Sequence, residues 1–187
     1  MKKFVWGCML LVVVLFTCMA TGIYPVAIVN GSPILARTWK RAEAAAIQFT
    51  QTNLIASGRA PIDFALAENV HLLIEARKDA LLALIENKLV AKEGDVIVAD
   101  LDARANERVD AAVRQSVNLK EGAGFLYGLD FNKFRDLILL PQARRDLLRE
   151  TFEEKKEDFL NWFSTLKAHA RVRLLFTPFS WDGERVK

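Results

Sequence analysis

The chain has 187 residues, 52% of them apolar and 26% charged, with a net charge of +3. Setting aside Lys2 and Lys3 leaves 24 Lys and Arg against 23 Asp and Glu, a balance of +1, which gives no electrostatic footprint for nucleic acid. Both cysteines, Cys8 and Cys18, fall in the first apolar stretch, so the rest of the chain has no disulfide framework and no cysteine-based metal site.

Residues Phe4 to Ala20 are uncharged and apolar, Ile23 extends the run to 20 residues, and Lys2 and Lys3 precede it. A membrane span needs about 20 such residues and a signal h-region roughly 7–15. Residues 1–23 therefore form a signal-anchor or transmembrane segment. Ala20-Thr21-Gly22 leaves cleavage open, and Leu15-Phe16-Thr17-Cys18 is a loose match to a lipidation box. All three fates export the C-terminal part of the chain, because basic flanks stay in the cytoplasm. The expected location is the cytoplasmic membrane, single-pass, with the domain outside, or a secreted or periplasmic form if the segment is cut.

Val26 to Val29 is the first strand, Asn30-Gly31 a two-residue hairpin turn, and Pro33-Ile34-Leu35 the return strand. Asn-Gly is the strongest short hairpin signal because both residues tolerate positive φ. Proline in the return strand suits a sheet edge. Thr38 to Ala56 is a helix with Trp39, Ala42, Ala46, Phe49 and Leu54 inward, and Gly58 fits its C-terminal cap. Ile62 to Glu93 is expected to be mostly helical, with Val70, Leu73, Ile74, Ala80, Leu81, Leu84, Ile85, Leu89 and Val90 supplying its core face and Gly94 stopping it.

Asp100 begins a third helix carrying Leu101, Ala105, Val109, Ala112 and Val113 at helical spacing. Lys120 to Gly128 is expected to be a glycine-bearing loop with exposed aromatics. Asp130 suits an N-cap for a helix with Phe131, Phe134, Leu137 and Ile138, which Pro141 must kink or break. The charge run Glu153 to Asp158 is a solvated helical face. The last helix bears Phe159, Leu160, Trp162, Phe163 and Leu166, and Val172 to Phe176 is a closing strand. A lone hairpin is marginal in water, so this strand from the far end of the chain is expected to join it. The fold class is mainly α with a small sheet, in a domain over residues 24–179, followed by a flexible tail over 180–187.

Four stretches together resemble the SurA N-terminal-like domain of bacterial periplasmic and cell-surface folding factors. These are Val26-Ala27-Ile28-Val29-Asn30-Gly31 through Ile34; Ala80 to Gly94 with the following Val96 to Asp100; Gly128-Leu129-Asp130-Phe131-Asn132-Lys133-Phe134-Arg135; and Trp162 to Leu175. In that family a parvulin prolyl isomerase domain usually precedes the closing helix. Here only Glu153 to Asp158 stands in that place. A serine usually stands where this chain has Ala99, which leaves Asp100 to cap alone. The resemblance implies an ATP-independent chaperone or holdase that binds unfolded or nascent exported polypeptides, performs no reaction and needs no cofactor. A binder of many peptides needs an apolar cleft with adaptable contacts. The candidate peptide contacts are Phe125, Leu126, Tyr127, Phe131 and Phe134 around the glycine segment, and Trp162 and Phe163 on the last helix.

His71 and Glu75 lie four apart on one helical face, but two ligands fall short of a zinc site. His169 suits a helix C-terminus. No G-x-S-x-G elbow, calcium-loop spacing or phosphate-cradling glycine loop occurs. Helical spacing also makes core the simplest role for most of the aromatics. Two alternatives stay open: a non-catalytic scaffold for one envelope partner, and, ranked last, a peptidyl-prolyl isomerase. The oligomeric state is not legible.

Overall fold

The computed structural model describes residues 21–116 and 118–187. All but the last three residues of the expected anchor lie outside them. Among the described residues no helix is long and apolar enough to cross a membrane. The described chain is mainly helical with one three-stranded antiparallel sheet.

The sheet is made by the two ends of the domain. Strands β1 (Pro25–Val29) and β2 (Ser32–Leu35) form the hairpin, and β3 (Val172–Leu174) pairs with the free side of β1, giving the order β2-β1-β3. Asn30 and Gly31 have φ of 47° and 85°, the left-handed pair that a two-residue turn requires. Pro33 lies on β2, an edge strand, where its missing N–H costs least. Asn30 also locks the third strand. Its backbone N–H donates to the Arg171 carbonyl, its Oδ1 accepts from the Arg171 N–H at 2.9 Å, and its own carbonyl accepts from Lys92 Nζ at 2.7 Å.

Helix α1 (Ala36–Ala56) has no side-chain cap. The incoming chain caps it instead, as the N–H groups of Ala36 and Arg37 donate to the carbonyls of Tyr24 and Gly22. At its other end Gly58 takes φ +73°, the Gly58 N–H meets the Ile55 carbonyl and the Arg59 N–H meets the Leu54 carbonyl. That bond pair is a Schellman closure.

Helix α2 is shorter than expected, Val70–Glu93, after a 3₁₀ turn at Ala67–Asn69. Asp63 prevents the earlier start: its carboxylate accepts from the Ala65 N–H and its carbonyl accepts from Asn69 Nδ2, local bonds that compete with a helix. Ala80, Leu81, Leu84, Ile85, Leu89 and Val90 are buried as the spacing predicts, whereas Val70 and Ile74 are exposed. Gly94 ends the helix with ordinary right-handed geometry. Its glycine is required by closeness, because a Cβ there would stand 2.5 Å from Leu101 Cδ2.

Helix α3 (Leu101–Gln115) is not capped by the Asp100 side chain. Asp100 sits at φ 54° and the Leu101 N–H donates to Asp95 Oδ1. The glycine segment expected to be a loop is helix α4 (Leu119–Tyr127), closed by Gly128 at φ +63°. Ala123 between its two interior glycines is fully buried, so packing overrides their weak propensity. Asp130 caps α5 (Phe131–Phe134) by accepting from the Lys133 N–H.

The break expected at Pro141 takes the form of a π turn, Arg135–Leu139, leading into α6 (Leu140–Glu154) with the proline in its first turn. A wider turn moves a carbonyl away from the proline ring that would otherwise clash with it. The charge run at 153–158 is not one helical face: α6 stops at Glu154, Lys156 turns left-handed, and Asp158 caps α7 (Phe159–Ala168). Residues 180–187, expected to be a flexible tail, close a small hairpin in which Trp181 pairs with Val186, and Val186 is only 6% exposed.

The core has three apolar clusters. One lies under the sheet, around Val26, Val29, Leu81, Ile85 and Leu89. A second joins Val90 to α3 and α6 through Leu101, Val109, Leu147 and Leu148. The third is Ala45, Ala123, Leu129 and Phe134. Each fully buried Val, Leu or Ile contributes about 1.5–3 kcal/mol, and α2 carries such residues into both of the first two clusters, Val90 alone into the second.

Candidate groove between the alanine faces of α1 and α2

Small side chains make the site. Ala42, Ala45 and Ala46 on α1 lie opposite Ala80 and Ala83 on α2. Where methyl groups replace larger chains on two facing helices, the helices cannot fill the space between them. The result is a cavity of about 280 Å³, lined as well by Phe49 and Tyr127 and by Leu137 and Ile138 of the π turn. Asp79 and Asn87 are its polar members.

Leu84, Asn87 and Leu137 also line a second hollow of about 500 Å³. This one runs beside the edge strand β2 and is bordered by Pro33, Leu35, Lys88 and Pro141. The two hollows share those three residues and so adjoin as the two parts of one groove. Its chemistry changes along its length. The α1 end is aliphatic and aromatic. The β2 end is charged, with Asp136 and an Arg144–Asp102 ion pair at 2.6 Å.

Tyr127 stacks on Phe49 with ring centroids 4.9 Å apart and planes at 10°, and tilts against Phe134 at 5.1 Å. Such ring pairs are worth about 0.5–1.5 kcal/mol beyond burial. Burial raises the Tyr127 hydroxyl above its usual value. Gln48 and Thr52 of α1 donate to the Phe125 carbonyl, which ties α4 to α1 and fixes Tyr127 at the groove.

The sequence-derived candidates divide. Tyr127 lines the groove. Phe134 is 6% exposed and supports it from the third core cluster. Phe131 packs against that cluster with Lys120 over its ring, and Leu126 is half-buried. Phe125 is 71% exposed and outside the groove lining; its carbonyl, not its ring, holds the helices together. Trp162 and Phe163 stand elsewhere, in a ring cluster with Phe152 and Phe159 against the second core cluster. The structure does not bring these two into the groove with Tyr127.

Sequence reasoning places Ala42, Ala46 and Phe49 in the core and passes over Ala83. The signal that marks them is the run Ala42-x-Ala44-Ala45-Ala46 set against Ala80-x-x-Ala83. Periodicity alone reads that run as close packing.

Among the described residues no group of three or more His, Cys, Asp or Glu stands together as a metal site. His71 is exposed, and Glu75 pairs with Lys78 at 2.9 Å. His169 ends α7, with Nδ1 2.9 Å from the Thr165 carbonyl. No family model, curated protein or solved structure matches the chain.

Proposed function

We propose that this is an exported, membrane-anchored, ATP-independent holdase domain of the SurA N-terminal-like kind, and that its groove receives apolar segments of unfolded or nascent polypeptides. The observation that carries the reading is the groove of two adjoining hollows, apolar at the α1–α2 end and charged at the β2 end. Its hydrophobic walls accept side chains of many shapes, and its few polar groups impose little sequence code. A chain with apolar residues followed by polar ones matches both ends at once. Binding of this kind consumes no cofactor and transforms no bond. The anchor, residues 4–23, would hold the domain where chains emerge from translocation.

The test is suppression of aggregation by residues 21–187, without nucleotide, using several unrelated chemically unfolded proteins. Suppression across unrelated clients is the expected result. A folded sample that suppresses none of them refutes the holdase and leaves the single-partner scaffold, to be sought by capture from membranes.

A further inference from the structure

The apolar run ends at Ile23, and the surface there has its own chemistry. Ile23 is 48% exposed, and Tyr24 meets the ring of Phe176 edge-on at 6.0 Å. Phe176 is 75% exposed and has a φ of 54°. Left-handed geometry is a genuine outlier for a bulky residue. Here it directs an aromatic ring outward, although Phe179 and Trp181 three and five residues later pack against the core. Strain that places an apolar ring in the open points to something that receives the ring.

The helix that starts beside this spot carries basic side chains in its first turns. The Arg37 N–H donates to the Gly22 carbonyl at 3.0 Å, so the start of α1 abuts the last residues of the apolar run. Arg37, Lys40 and Arg41 recur at i, i+3 and i+4, which sets them on one helical face, and all three are exposed. They occupy the first turns of α1, with no acidic residue in the first turn to offset them. The helix dipole disfavours cations at that end, so α1 itself gains nothing from them.

We propose that this face seats the domain on an anionic bilayer: Phe176 and Ile23 enter the boundary between headgroups and acyl chains, and Arg37, Lys40 and Arg41 lie against lipid phosphates. The occupant follows from continuity. The 20-residue apolar run ends at Ile23, and aromatic rings with basic side chains are the groups that settle at a membrane surface. The inference rests on the anchor part of the proposed function and not on the holdase part. Its consequence is orientation, because a domain held by this face as well as by its anchor presents the groove at a fixed angle to the membrane.

The experiment uses the full chain with Cys8→Ser and Cys18→Ser, and one cysteine introduced by Phe176→Cys, Ile23→Cys or Val96→Cys. Val96 is 82% exposed and follows α2 at the other end of the hairpin. Each variant carries an environment-sensitive dye and is reconstituted into phosphatidylcholine vesicles with and without phosphatidylglycerol. The expected result is a blue-shifted label at 176 that brominated lipids quench, stronger with phosphatidylglycerol, and an aqueous label at 96. Reversing the charge at 37, 40 and 41 returns the 176 label towards the aqueous signal. A chain that co-floats with vesicles while its 176 label stays as aqueous as that at 96 overturns the membrane face and leaves the anchor intact. A chain that does not co-float overturns both. A 176 label that responds to added unfolded polypeptide and not to lipid overturns the inference in favour of a client contact.

Discussion

Asn30→Ala is the substitution that most sharply tests how the two ends of the domain are joined. Asn30 does two separable things. It holds φ at 47°, a conformation costing a residue with an ordinary Cβ about 1–2 kcal/mol. Its Oδ1 also accepts from the Arg171 N–H at 2.9 Å, 141 residues away, and a bond of this kind is worth about 1 kcal/mol net. Alanine loses both, so the expected cost is about 2–3 kcal/mol. For a domain of this size that lowers Tm by roughly 4–12 °C. Asn30→Gly keeps the turn geometry and loses the side-chain bonds, the one from Arg171 and the longer one that Nδ2 donates to Glu93 at 3.5 Å, apart from the extra freedom of glycine in the unfolded chain. Asn30→Asp keeps both the oxygen and the tolerance for this φ. The expected order of stability is asparagine, then aspartate, glycine and alanine, read from urea unfolding followed by circular dichroism. Equal stability of the glycine and alanine variants would refute the conformational argument. A loss under about 0.5 kcal/mol in all three, the range of ordinary surface changes, would refute the whole account of the joint.

Gly94→Ala should destabilise by about 1–3 kcal/mol, because its methyl group meets the fully buried Leu101 and Leu148; thermal unfolding checks it, and a stabilised variant would show that the second cluster has room. Glu86→Gln removes the carboxylate shared by Arg145 at 3.3 Å and Lys167 at 3.4 Å. With all three side chains mostly shielded from water, the expected loss is about 1.5–3 kcal/mol, measured by denaturant midpoint. Asp182 is held well below its usual value by the N–H groups of Arg185 and Glu184 and by Lys187. A depressed carboxylate stabilises the folded tail fully above its unfolded value near 3.8, and that contribution disappears as pH falls through the lower folded value. Carboxyl chemical shifts recorded on acidification should therefore show Asp182 protonating below the ordinary aspartate range, with the Trp181–Val186 hairpin opening in the same step.

Much of the fold is legible in the sequence because its signals are local. Asn30-Gly31 specifies its turn by the φ values it tolerates, Asp130 specifies its cap, and the apolar spacing from Ala80 to Val90 specifies one buried face of α2. The partnership of β1 with β3 follows from need, since a lone hairpin requires a third strand. The misread segments are those where tertiary contacts decide. Glycine content suggests a loop at 120–128, but burial of Ala123 and the ties from Gln48 and Thr52 to the Phe125 carbonyl make it helix. The single Asp63 removes several residues from the expected start of α2. Gly94 is legible as a stop, while its close approach to Leu101 has no sequence signature. The site is the least legible part. Aromatic residues draw the eye, yet the groove comes from what alanines leave empty, and an absent side chain leaves no periodic signal distinct from close packing.

The central claim is that this groove binds unfolded polypeptide, and filling it tests the claim most directly. Ala83 is exposed and lines the groove, so Ala83→Trp occupies the space with little demand on the core. Fluorescence anisotropy of labelled unfolded chains, titrated with residues 21–187 of each form, gives the affinities. The account predicts that unrelated unfolded chains bind the native groove and that Ala83→Trp, melting at the same temperature, binds them about tenfold or more weakly, a difference of about 1.4 kcal/mol. Equal affinity for the filled and native grooves, with both forms folded, would contradict it.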